Sequence, residues 1–206
     1  MPIQIQCVRC GDIQENAWIV GLDGRDDCVL IDPGDDCEKL GRAIGDKRLS
    51  AILLTHGHFD HIMAVGRLAR DTGAPVYAHA DDLEMLNDPE KNGLMGLMGG
   101  GAMPGPAIEA SAFDEELSVA GLDFDIIHTP GHSKGSACLY LESEGVLFSG
   151  DTLFKAGFGR MDLYGGSPLQ MRESLRRLFA LPEGVRVYPG HGPKTTIGAE
   201  RSLYRL

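Results

Sequence analysis

The chain has 206 residues, 43% of them hydrophobic and 24% charged, and a net charge of −11. It is long enough to bury a sizeable core. Its acidity repels nucleic acid and anionic membrane, and it contains no run of about 18 apolar residues, so neither a nucleic-acid partner nor a membrane is expected.

In chain order, Met1 to Gln6 has neither the basic nor the apolar region of a signal peptide. The five cysteines, Cys7, Cys10, Cys28, Cys37 and Cys138, are odd in number and irregular in spacing. That pattern fits a reducing compartment, and the cytoplasm is the expected location. Cys7 and Cys10 lack a second pair to complete a zinc ribbon; their segment reads as a strand end, not a redox motif opening a helix, and both are read as structural. Ala17–Val20 and Cys28–Ile31 predict a β-hairpin around the turn-rich segment Gly21-Leu22-Asp23-Gly24. Asp32-Pro33-Gly34 ends its second strand. A short helix is predicted over Glu38–Ile44 and a buried strand over Ala51–Leu54. Apolar spacing at Ile62, Val65, Leu68 and Ala69 predicts one helix from about Asp60 to Arg70. Pro75–Ala78 is a further strand. Residues 87–107, rich in Gly, Met, Pro and Asn, read either as a long loop beside the active site or as an unstructured insertion.

The second half predicts strands at Leu117–Val119, Phe124–Ile127, Ala137–Leu141 and Val146–Phe148. Ser167-Pro168-Leu169-Gln170 is a helix start, with Ser at the N-cap and Pro in the first turn. Met171, Leu175, Leu178 and Phe179 then form a core-facing stripe. Val185–Tyr188 is the last strand, with a short closing helix. No linker or repeat divides residues 1–206, so one domain of α+β class is expected. Two β-rich halves with helices beside them suggest sheets inside and helices outside.

The chemistry is concentrated in His56-Gly57-His58-Phe59-Asp60-His61, an H-x-H-x-D-H motif following a strand. His56 and His58 are two apart in extended chain, so both imidazoles point the same way and can grip one ion. Asp60 and His61 open a helix, where neighbours diverge by about 100°, which suits a second, displaced ion. Three more strand-end turns each offer one ligand: His132 in Thr129-Pro130-Gly131-His132, Asp151 in Ser149-Gly150-Asp151, and His191 in Pro189-Gly190-His191. Imidazole with carboxylate favours zinc, iron or manganese over calcium.

These residues resemble the metallo-β-lactamase superfamily, nearest its glyoxalase II-like hydrolases. The resemblance rests on H-x-H-x-D-H at 56–61, G-H at 131–132, G-D-T-L-F at 150–154, P-G-H-G-P at 189–193 and the segment Gly157-Phe158-Gly159-Arg160. It implies a four-layer αβ/βα sandwich and two divalent metal ions, with zinc the leading choice. It also implies that His56, His58 and His132 bind one ion, that Asp60, His61 and His191 bind the other, and that Asp151 bridges them. Asp60 would also orient the nucleophile. His79 and His128 match no ligand position and are read as structural. The implied activity is hydrolysis of a small-molecule thioester or ester by water activated between the metals. Glyoxalase II enzymes carry a helical C-terminal extension that helps hold glutathione. This chain ends 15 residues after His191, so a short, single-domain relative is expected, with weak grip on glutathione. A second activity within the same resemblance is a persulfide dioxygenase with one iron on His56, His132 and Asp151. Gly159-Arg160-Met161-Asp162 fits its G-R-x-D pattern. The filling of all seven dinuclear positions favours the hydrolase.

Overall fold

A computed structural model describes residues 1–99 and 106–204. The first half carries β1 (Ile3–Cys10), β2 (Glu15–Leu22), β3 (Asp27–Ile31), α1 (Cys37–Ile44), β4 (Arg48–Leu53), α2 (Phe59–Ile62), α3 (Val65–Thr72), β5 (Val76–Ala78), α4 (Leu94–Met98) and β6 (Ser111–Ala112). The second carries β7 (Glu116–Val119), β8 (Leu122–His128), β9 (Ala137–Leu141), β10 (Val146–Gly150), α5 (Pro168–Leu178), β11 (Arg186–Pro189), β12 (Thr195–Thr196) and α6 (Ile197–Arg201). Strands β1 to β6 form one sheet in sequence order, and β7 to β12 form the other in sequence order.

Alternation along the strands explains the layers. Successive side chains face opposite sides of a sheet. Ala17, Ile19, Cys28, Leu30, Ile52 and Leu54 pack outward against Leu40 and Ile44 of α1 and Val65 and Leu68 of α3. Their neighbours Trp18, Val20, Val29, Ile31, Ala51 and Leu53 face inward, against Leu122, Phe124, Leu139, Leu141, Val146 and Phe148 of the other sheet. The outer face of that second sheet, with Cys138, Tyr140, Leu147 and Val187, receives Met171, Leu175 and Leu178 of α5 and Ile197 of α6. Central strands buried on both faces read as continuous apolar runs, as seen here. The result is the four-layer αβ/βα sandwich, α+β in class, that the resemblance implies.

The hairpin forms as expected, with β2 and β3 antiparallel. Ser167 caps α5, its hydroxyl accepting from Gln170 N. The helix predicted from Asp60 to Arg70 is instead two helices, α2 and α3, broken at Met63-Ala64. The break has an identifiable cause: Ala64 N donates to Pro33 O, and Met63 N shares its hydrogen between Gly34 O and its helical partner Phe59 O, so the 33–34 turn competes for these amides. Residues 87–107 are not wholly irregular, because α4 lies within them. The part of that segment at 100–105 lies outside the described residues. Strands β6 and β12 add to the predicted set, and β1 extends the strand end at Cys7–Cys10 back to Ile3. All five cysteines are free thiols. Among the described residues no helix is long and apolar enough to cross a membrane.

Candidate metal centre

All seven residues singled out in the sequence meet at one edge of the paired sheets. His56 and His58 follow β4 in extended backbone, and Asp60 and His61 lie in α2. His132, Asp151 and His191 follow β8, β10 and β11. Two glycines make the crowding possible. Gly150 has a positive φ of 46°, and a Cβ there would stand 2.2 Å from Thr55 Oγ1. At Gly190 a Cβ would meet Asp151 Oδ1 at 2.4 Å and the His61 ring at 2.6 Å.

Two triads emerge. Potential ligand atoms of His56, His58 and His132 lie within 4.8 Å of one another, and so do those of Asp60, His61 and His191. His58 Nδ1 is 2.8 Å from His132 Nε2, and Asp60 Oδ2 is 3.2 Å from His191 Nε2. Asp151 touches both triads. Its Oδ1 is 3.3 Å from His61 Nε2; its Oδ2 is 3.5 Å from His132 Nε2 and 3.7 Å from His191 Nε2.

The donors fit divalent cations by their unmet valences. Among the described residues, the buried side-chain atoms without a hydrogen-bond partner are His56 Nε2, His58 Nε2, His61 Nε2, Asp151 Oδ1 and both oxygens of Glu15. Buried polar atoms are normally paired, so orphans gathered in one cluster call for an occupant. The charge states point the same way. Burial, reinforced by the facing His61 and His132 rings, pushes His56 well below the usual histidine range. Burial and His132 push His58 down to about 3. Both are neutral, with lone pairs to give. Burial opposes ionisation of Asp151, but His61, His132 and His191 overcome it and hold its carboxyl well below the usual range. His61 is raised despite its burial, by Asp151 and Asp60. The carboxylate side of the cluster therefore attracts positive charge.

Several groups around the cluster carried no motif signal. Asp32 Oδ2 accepts from Thr55 Oγ1 at 2.6 Å and from His61 Nδ1 at 3.1 Å, and Asp32 Oδ1 accepts from Thr55 N at 2.7 Å. With its proton given to Asp32, Thr55 Oγ1 accepts from His56 Nδ1 at 3.1 Å. His132 Nδ1 donates to the Arg160 carbonyl at 2.7 Å. In all three rings Nδ1–H is anchored and Nε2 faces the cluster, the arrangement that orients metal-binding histidines. A usable signal for Asp32 did exist. Strands β3 and β4 are parallel neighbours, so an acid just after β3 sits beside whatever follows β4. Glu15, fully buried, lies 3.8 Å from His61 Nδ1, and burial raises its carboxyl well above the usual range.

Asp82 is a clamp. Its carboxylate accepts from Gly57 N at 2.9 Å, Ser133 Oγ at 2.6 Å and Gly135 N at 2.6 Å. It thereby ties the 56–61 segment to the loop bearing His132. Asp82→Ala strands two buried amides, at about 1–3 kcal/mol each. A loss of about 3 kcal/mol lowers Tm by roughly 6–12 °C in a chain of this size. Thermal melting measures this, and an unchanged Tm contradicts the clamp.

A cleft of about 460 Å³ opens over the cluster, with Ile13, Phe59, Phe154 and Leu163 as apolar walls and Arg160 at its side. Comparison with known proteins gives a consistent picture. The sequence profile of the family described as the metallo-β-lactamase superfamily matches residues 10–191. A probable metallo-hydrolase of Bacillus subtilis is 38% identical over 93% of this chain and 91% of its own length. A hydroxyacylglutathione hydrolase of Ectopseudomonas mendocina is 40% identical over 80% of this chain, which spans 56% of that protein. The crystal structure of the B3 metallo-β-lactamase BLEG-1 superposes with a TM-score of 0.89 at 39% identity, covering 97% of both chains. A protein crystallised in a di-iron-bound form superposes at 0.84 with 41% identity, over 95% of this chain and 96% of that one. ETHE1 from Myxococcus xanthus superposes at 0.74 with 28% identity, over 96% of this chain and 81% of that one.

Proposed function

Since the chain belongs to the metallo-β-lactamase superfamily, we propose that it is a dinuclear metal-dependent hydrolase acting on a thioester. The observation that carries this reading is the place of Asp151. One carboxylate stands within 3.7 Å of His132 from the first triad and of His61 and His191 from the second, which is where a shared ligand belongs. His56, His58 and His132 would hold one ion, and Asp60, His61 and His191 the other. Two divalent ions, when bound, supply Lewis acidity and activate water for attack on a carbonyl. Asp60, beside His191 and lining the cleft, would orient the attacking water as well as bind metal.

The cleft supports a thioester in particular. Its apolar walls suit an acyl chain. Among the described residues lining it, the titratable side chains other than Arg160 all belong to the seven-residue cluster, so no separate acid stands ready to protonate a leaving group. A thiolate needs no such acid; an alkoxide or amine does. The test is thiol release from acyl thioesters after removal of metal by chelator and reloading with zinc, iron or manganese. Thiol release restored by metal is expected. Release with none of the three metals sinks the reading.

Lactoylglutathione is expected to be used with a high KM and little loss of kcat. Among the described lining residues the cationic side chain is Arg160, and Asp162 already engages it through two hydrogen bonds of 2.7 and 2.8 Å. The two glutathione carboxylates therefore find little to bind, and lost uniform binding raises KM alone. A low-micromolar KM in steady-state assays would show that other contacts grip the peptide.

A further inference from the structure

His79, Asp81 and His128 belong to neither triad, yet they stand together. His79 follows β5, Asp81 lies in the 3₁₀ turn Ala80–Met85, and His128 ends β8. We propose that these three side chains form a third cation site, one that takes a divalent transition metal of the zinc, nickel or copper class.

A ligand atom from each of the three lies within 4.8 Å of the other two. The two imidazoles stack, with centroids 3.9 Å apart and planes 12° from parallel. Two protonated rings would repel at that separation, so the stack keeps at least one ring neutral, with a lone pair to give. Burial, and then the facing His128 ring, hold His79 below the usual histidine range. His128 Nε2 lies 2.8 Å from the Lys134 carbonyl oxygen. A carbonyl only accepts, so Nε2 carries a proton and Nδ1 is the nitrogen left to face a ligand. A metal-binding histidine is characteristically set in this way, its other nitrogen donating to a backbone carbonyl. His79 Nδ1 accepts from Asp81 N over a long 3.2 Å and lies 3.8 Å from Asp81 Oδ2. An ion at that nitrogen replaces a weak hydrogen bond and meets the carboxylate.

Access and charge also suit a cation. The side chains of His79 and Asp81 are 21% and 57% exposed, so a hydrated ion reaches them from solvent. The nearby Lys134 ammonium is already held by Glu84 and Tyr164, each at 3.0 Å. The site also backs onto the machinery of the cleft. His79 caps the turn that carries Asp82, and His128 holds the carbonyl of Lys134, between Ser133 and Gly135, which Asp82 grips. An ion here fastens from outside the two loops that Asp82 fastens from within.

The test is calorimetric titration of zinc chloride into the protein purified with its resident metals, beside His79→Ala, His128→Ala and Asp81→Ala. The wild type is expected to take up one further equivalent. Each histidine variant should bind it at least about tenfold more weakly, since even loss of a partner behind a ligand costs that much. Asp81→Ala removes a side chain that is 57% exposed, a surface change of small expected effect on stability, and it should weaken uptake in the same direction. Added zinc should raise the Tm of the wild type and not that of His128→Ala, because a ligand stabilises only the state it binds. No further uptake by the wild type, or equal uptake by all four proteins, overturns the proposal. None of the substituted residues belongs to the seven-residue cluster, so the result stands whether or not the hydrolase reading does.

Discussion

Asp151→Ala is expected to lower kcat/KM by about a thousandfold, roughly 4 kcal/mol of transition-state stabilisation, while His79→Ala and His128→Ala stay within about threefold of the wild type. The asymmetry follows from what each side chain touches. Asp151 lies within 3.7 Å of His61, His132 and His191, and those imidazoles keep it ionised in a buried place. Removing it leaves both triads without their common anion, and breaking a buried charge pair on one side only is among the costlier single changes. The two other histidines contact each other and their own loops. Steady-state kinetics with elemental analysis of each variant measures the difference, and metal content should fall with activity in Asp151→Ala alone of these under resident-metal conditions. Equal losses at all three positions would show that the donors are wrongly assigned.

Turnover of a thioester by zinc-loaded protein is expected to be as fast under nitrogen as in air. Zinc has no redox chemistry, so the comparison separates hydrolysis from oxygen chemistry completely. The persulfide dioxygenase reading needs one iron on His56, His132 and Asp151. It gives no task to Asp60, His61 and His191, which the fold nevertheless draws together with Asp60 Oδ2 3.2 Å from His191 Nε2. The experiment offers a thioester and glutathione persulfide to zinc- and iron-loaded protein while oxygen uptake is recorded. Rapid uptake with persulfide, seen only with iron, together with no thioester cleavage by either metal, would replace the hydrolase with the dioxygenase.

The fold and the cluster were largely legible in the sequence because both depend on local rules. Strands buried on two faces, such as Cys28–Ile31 and Val146–Phe148, announce themselves as apolar runs, and the ligand types repeat at turns just after such runs. What escaped was set by distant parts of the chain. Strand β1 is an edge strand with an exposed outer row, so its apolar signal is thin. The break between α2 and α3 comes from amides of Met63 and Ala64 bonding to residues 33 and 34, a contact that helical spacing cannot register. Asp32, Glu15 and Asp82 are single acids in unremarkable surroundings. Their importance arises only when β3 lies beside β4, and when the turn at 80–85 closes on Gly57 and Gly135.

The strand order has a consequence for how the molecule could be divided. Each sheet is built from an unbroken stretch of chain, and no strand crosses between them. A cut between Ala112 and Glu116 would give two pieces, each with a whole sheet and its own helices. The pieces would meet through their inner apolar faces and a few backbone bonds at the cleft edge, such as Asn16 N to Gly190 O and Ala137 N to Thr55 O. They would also share the cluster, with His56, His58, Asp60 and His61 on one piece and His132, Asp151 and His191 on the other. The candidate ligands are thus divided four and three between two continuous stretches of chain, and the cluster exists only while the two sheets are packed face to face.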